Sequence, residues 1–110
     1  MSVQTQSAYK AVGPLLAFPV GAGKEVRMGT LELAVFRTSD GGVFALENRT
    51  PHRKGGPLAE AIVSGHYIYC PLRDLKISLR DGQVQEPDTG QALTYPVKIV
   101  DGYVYIEVPE

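Results

Sequence analysis

The chain has 110 residues, of which 44% are apolar and 21% charged, which is the composition of a soluble globular protein and the length of one domain. A net charge of -1 gives no global attraction for nucleic acid or an anionic membrane, and a single cysteine excludes an internal disulfide framework. The opening MSVQTQSAYK has no basic segment followed by an apolar run, and no stretch nears the ~18 apolar residues of a membrane span, so a cytoplasmic, membrane-free domain is expected.

Twelve glycines and eight prolines suit turns between short strands better than helix interiors. Residues 1–7 read as a flexible N-terminus and 8–110 as a single domain. Ala8 to Val12 open a first strand, stopped by Gly13-Pro14. Leu15 to Val20 read as a short apolar connection, Gly21-Ala22-Gly23 as a turn, and Lys24 to Met28 as a strand that turns near Gly29. Leu31, Leu33 and Val35 alternate with Glu32, Ala34 and Phe36, the period of two that marks a strand. Ser39-Asp40-Gly41-Gly42 then joins it to Val43–Glu47 as a hairpin, Asp-Gly being suited to the positive φ angles of tight turns.

Two further Asp-Gly pairs set an expected register. A two-residue loop at Asp101-Gly102 pairs Ile99 with Val104 and Val97 with Ile106, placing all four on one face. A similar loop at Asp81-Gly82 pairs Leu79 with Val84, with Ile77 on the same face. Pro57–Val63 (PLAEAIV) is rich in helix formers but long enough for only a turn or two of helix. The pattern predicts an all-β, mainly antiparallel fold.

The segment from Asn48 to Leu79 carries the most specific pattern. Thr50-Pro51-His52 and Gly55-Gly56-Pro57-Leu58 form one loop, and Cys70-Pro71-Leu72-Arg73 forms a second. This arrangement resembles the cluster-binding half of a Rieske domain, with a Cys-x-His pair in the first loop and a Cys-Pro-Leu-His type pair in the second. The resemblance implies an antiparallel β sandwich or barrel, with the two loops adjacent at one end as a vestigial cluster-binding subdomain. Its ligand positions correspond to Thr50, His52, Cys70 and Arg73. A Rieske centre needs two thiolates and two imidazoles. Thr50 offers a protonated hydroxyl, and the guanidinium of Arg73 has no lone pair to donate. Counting from Gly55-Gly56 instead puts Pro51 and Arg53 at the first pair. Either register lacks the four-ligand set, so no cofactor and no metal are expected on this chain.

Taken alone, Cys70 reads as a small buried hydrophobe, His52 as an exposed contact residue, and His66 as a cap or solvent-facing group at a strand start. Tyr67, Tyr69, Tyr95, Tyr103 and Tyr105 fit sheet faces. If the loops meet, Arg49, Arg53, Lys54 and Arg73 share one tip with His52. That tip is either a solvated charged face or a docking surface. Arg73 would span the gap between the loops, reaching Asp74, a loop carbonyl or a partner. No catalytic triad, phosphate loop or basic stripe for nucleic acid is evident.

The strings Glu47-Asn48-Arg49-Thr50-Pro51-His52, Lys54-Gly55-Gly56-Pro57-Leu58, Ile62-Val63-Ser64-Gly65, Lys76-Ile77-Ser78-Leu79, Asp81-Gly82-Gln83-Val84, Pro87-Asp88-Thr89-Gly90 and Tyr95-Pro96-Val97 extend the likeness over roughly residues 8–108. Together they make the chain similar to the small subunit of assimilatory NAD(P)H nitrite reductase. That resemblance implies a non-catalytic companion to a large subunit bearing sirohaem, an iron–sulfur cluster and FAD, which reduces nitrite to ammonium. Two alternatives stay open: a Rieske-type ferredoxin carrying electrons to an oxygenase, and a small independent enzyme using the Cys70 thiol or a metal at His52 and Cys70.

Overall fold

The computed structural model describes residues 7–50, 56–70, 75–86 and 88–109. The strands in these residues are β1 (Ser7–Pro14), β2 (Gly23–Met28), β3 (Leu31–Arg37), β4 (Val43–Glu47), β5 (Ile62–Ser64), β6 (Tyr67–Cys70), β7 (Leu75–Ser78), β8 (Thr94–Tyr95), β9 (Val97–Val100) and β10 (Tyr103–Pro109). A single turn of 3₁₀ helix, Leu15–Ala17, follows β1. The strands form three antiparallel sheets, in the orders β1-β10-β9, β2-β3-β4-β8 and β5-β6-β7. The all-β expectation is met.

The middle sheet separates two cores. Along β3 the four residues Leu33, Ala34, Val35 and Phe36 are all buried. Successive side chains of a strand point to opposite faces. Leu33 and Val35 therefore join Phe18, Ala45, Val104, Ile106 and Val108 on the side of the β1-β10-β9 sheet. Ala34 and Phe36 join Leu46, Leu58, Ile68, Cys70, Ile77 and Leu79 on the side of the β5-β6-β7 sheet. Fully burying a side chain as large as Phe36 contributes roughly 1.5–3 kcal/mol.

The turns follow the sequence unevenly. At Asp101-Gly102 both residues take positive φ, 51° and 76°, the geometry of a type I′ turn. Ile99 pairs with Val104 and Val97 with Ile106, as the pattern predicts. Val104 and Ile106 are fully buried, whereas Ile99 is 40% exposed because β9 is an edge strand. At Asp81-Gly82 the expected Leu79–Val84 pair does not form. Val84 bridges Ile77 instead, and the Ser78 amide donates to the Gln83 carbonyl, leaving a four-residue loop, 79–82. The reason is tertiary. Leu79 is drawn into the core, its amide donates to the His66 carbonyl, and the Ala92 amide binds the Gly82 carbonyl at 2.8 Å.

Other boundaries shift too. The β3–β4 connection is a β-turn, closed by the Gly41 amide on the Thr38 carbonyl at 3.2 Å, with Gly41 at φ 94°. The positive φ belongs to Gly41 alone, not to Asp40. Strand β1 starts at Ser7 and runs through Gly13-Pro14, with a register shift between Ala11 and Gly13. Ser7 pairs with Pro109 at its start. The expected helical turn in Pro57–Val63 is absent: one β-turn, closed by the Ala61 amide on the Leu58 carbonyl, leads directly into β5. Leu58 and Ala61 are both buried, and their burial overrides helix propensity.

The loop after β4 passes tightly over β2. A Cβ on Gly23 would lie 2.4 Å from the Ala59 carbonyl oxygen and 2.6 Å from the Phe36 ring. A Cβ on Gly29 would meet nothing within 4 Å, although its φ is +63°. Gly23→Ala should therefore cost about 1–3 kcal/mol through overpacking, and Gly29→Ala about 1 kcal/mol through backbone strain alone. Urea unfolding of the two variants checks the order.

Candidate functional site

The first loop leaves the middle sheet where β4 stops, and the second joins β6 to β7 in the third sheet. Asn48 ties the first loop down at that point. Its Oδ1 accepts the amides of Leu58 and Ala59, both at 2.8 Å, and its Nδ2 donates to Glu25 Oε2 at 2.9 Å. The Thr50 amide donates to the Gly56 carbonyl at 2.8 Å, closing the loop on itself. Asn side chains commonly satisfy turn amides in this way. Sequence reasoning missed this role; the Asn within a Pro/Gly-rich segment was the available signal.

Thr50 is buried, 3% exposed, and Arg49 is exposed. Cys70 ends β6 opposite Leu75, faces inward at 7% exposure, and joins the same apolar cluster as Leu58. The described flanks of both loops thus converge on one cluster. His52, Arg53, Lys54, Arg73 and Asp74 lie outside the described residues. The shared basic tip and the His52–Cys70 metal pair therefore rest on the sequence. Among the described residues, no group of three or more His, Cys, Asp or Glu side chains is placed to hold a metal.

Arg49 lines a groove of about 580 Å³ beside the first loop, shared with Glu25, Glu32, Glu47, Tyr95 and Leu93. Burial, and then the charge of Glu47, push the Tyr95 hydroxyl up from its ordinary value.

His66 does more than face solvent at a strand start. Its Nε2 lies 2.7 Å from Asp40 Oδ2, its Nδ1 lies 3.2 Å from Arg80 Nη2, and the Phe44 ring meets it edge-on at 6.1 Å. It sits in the β5–β6 turn, at the end of that sheet away from the two loops, and fastens it to the β3–β4 turn. The Asp40 carboxyl is held down at about 2. The Thr38 hydroxyl is the largest cause, followed by the Gly42 amide and His66.

Residues 8–107 match the family model of the Rieske-like [2Fe-2S] domain. Over 102 residues the chain is 29% identical to the nitrite reductase [NAD(P)H] large subunit of Klebsiella oxytoca, a match that covers 89% of this chain but only 11% of that protein. It is 32% identical over 93 residues to the 3-phenylpropionate/cinnamic acid dioxygenase ferredoxin subunit of Photorhabdus laumondii, covering 84% of this chain and 87% of that one. The fold is similar to that of a Mycobacterium tuberculosis protein assigned as the small subunit of an NADH-dependent nitrite reductase. The TM-score there is 0.83 at 19% identity, over 94% of this chain and 96% of the other.

Two stability measurements test the polar contacts. Asn48→Ala leaves the Leu58 and Ala59 amides without their acceptor and should cost about 1–3 kcal/mol. Asp40 ionises at about 2 in the fold against an ordinary 3.8. Its contribution is therefore complete above that ordinary value and is lost as the pH falls through the folded value. Asp40→Asn should flatten the decline in stability across that interval, measured by urea unfolding at a series of acid pH values.

Proposed function

Because the chain belongs to the family of Rieske-like [2Fe-2S] domains, we propose that it is a cluster-free member acting as a non-catalytic small subunit of an assimilatory NAD(P)H nitrite reductase. The observation that carries the cluster-free part is the donor set. A Rieske centre takes two thiolates and two imidazoles, and the whole chain holds one cysteine and two histidines. One of those histidines, His66, is engaged by Asp40 and Arg80 at the far end of its sheet. Cys70 is packed inward among aliphatic residues. Threonine and arginine at the other two ligand positions supply neither a thiolate nor an imidazole. The residues do not fit a two-iron cluster, and no electron-transfer step is assigned to this chain.

The nitrite reductase assignment draws on the match along nearly the whole chain to the Klebsiella large subunit. In this reading the catalytic groups, sirohaem, an iron–sulfur cluster and FAD, belong to a cytoplasmic large subunit that reduces nitrite to ammonium. The small subunit supports it by docking through the tip that bears Arg49, His52, Arg53, Lys54 and Arg73. Loops held on a rigid sheet are where binding residues concentrate. A second reading, an electron-carrying ferredoxin, is favoured by the likeness to the Photorhabdus ferredoxin subunit. It requires a cluster, which separates the two.

Protein purified anaerobically should be colourless and hold neither iron nor acid-labile sulfide near stoichiometry. Rieske-type absorption and a paramagnetic signal on reduction would establish the ferredoxin reading instead. Co-purification with the large subunit tests docking. Arg53→Ala/Lys54→Ala should chiefly slow association and reduce its salt dependence, whereas Arg73→Ala should speed dissociation at a cost of about 2–5 kcal/mol. Equal binding by all variants at low and moderate salt would place the docking surface elsewhere.

A further inference from the structure

His66 stands where three turns meet, and its two nitrogens face opposite charges. Asp40, from the β3–β4 turn, approaches Nε2 at 2.7 Å, and Arg80, from the turn after β7, approaches Nδ1 at 3.2 Å. A guanidinium has donors only and stays charged. Nδ1 must therefore accept from Arg80, and Nε2 must carry the hydrogen that Asp40 receives. The two neighbours together fix one tautomer of a neutral ring. Among the described residues, no other charged side chain is hydrogen-bonded or ion-paired to it. From strand β4 the Phe44 ring packs against it in a T-shaped contact, and its neighbours before it in the chain, Ser64 and Gly65, carry no charge. The neighbouring Asp81 turns its carboxylate back on the Gln83 amide at 2.9 Å.

We propose that His66 is a proton-operated latch between these turns: as neutral imidazole it holds Asp40 and Arg80 together, and as imidazolium it keeps Asp40 and releases Arg80. A proton added at Nδ1 occupies the lone pair that Arg80 uses and sets two cations against each other. Nothing comparable happens on the other side. The Asp40 carboxylate also accepts from the Thr38 hydroxyl and the Gly42 amide, so it stays anionic and pairs more strongly with the charged ring. The release reaches beyond one side chain. The Leu79 amide donates to the His66 carbonyl at 2.8 Å, and the Gly82 amide closes the same turn on the Ser78 carbonyl at 2.8 Å. Arg80 also lines a groove of about 390 Å³ with Phe44, Leu79, Tyr95 and Val97, so its departure alters the mouth of that groove.

Nitrogen NMR of the full chain, from about pH 8 to about pH 5 where histidine ordinarily titrates, tests the latch. At the upper end, His66 should show a protonated Nε2 and a bare Nδ1. On acidification, the Arg80 guanidinium signals should move with the same midpoint as the imidazole. Protection of the Leu79 and Gly82 amides against exchange should fall about five- to tenfold, the loss of one hydrogen bond. His66→Gln retains a donor for Asp40 and an acceptor for Arg80 but does not titrate, so both responses should disappear. Arg80→Gln, whose amide can present either a donor or an acceptor, should likewise flatten the turn's response. A ring protonated at Nδ1 in the neutral state, Arg80 signals that ignore the imidazole in the parent, or a response that survives in either variant overturns the proposal.

Discussion

The burial of β3 on both faces is the constraint on which the rest of the molecule depends. A strand covered on one side needs only every second residue to be apolar. This one has no polar face between Leu33 and Phe36. Leu33 and Val35 serve the core under β10, while Ala34 and Phe36 serve the core under β6 and β7. A slip of one residue would exchange these two sets. It would put Phe36 where the space is shaped for Val35, and overpacking of that kind is itself destabilising. The register of β3 therefore fixes β4 beside it, and β4 carries the first loop upward from its end. The second loop leaves β6 and returns in β7, both of which rest on the far side of the same wall.

Polar contacts finish what the apolar cores begin. The inner face of the β5-β6-β7 sheet is held by burial, which is strong but non-directional. Direction comes from two places. Asn48 fixes the loop end by meeting two amides and a carboxylate at once, and His66 fixes the opposite end through Asp40 and Arg80. Between these points Gly23 lets backbone meet backbone at a distance no larger residue allows. Such contacts fix the described flank of the first loop against the sheet below it.

Local chemistry was legible in the sequence and long-range chemistry was not. Asp101-Gly102 forms the turn that its residues demand, and the one outside contact, the Leu15 amide on the Gly102 carbonyl at 2.8 Å, leaves that turn unchanged. Asp81-Gly82 has the same letters, yet its turn is longer, since Leu79 is pulled into the core and Ala92 pairs with Gly82 from ten residues away. In β3, Ala34 stands where a polar residue would mark a solvent face, and alanine is compatible with either side. The second core behind it shows in the period only as Ala34 and Phe36 at the alternate positions. The bridge from His66 to Asp40 joins residues 26 apart, a pairing that no spacing rule reveals. At the two loops, residue types alone carried the argument. A ligand set is a question of which atoms are present, and one cysteine cannot be two thiolates.

The pairing of Ser7 with Pro109 has a consequence at the level of gene architecture. The first and last described strands lie side by side and antiparallel, so the chain enters and leaves the fold at neighbouring points. A module with adjacent ends can be appended to a larger polypeptide, or set within one, without stretching either junction. Its two cores share one wall, so it must travel whole rather than by halves. Its presence as a small part of a far longer relative is what that geometry permits.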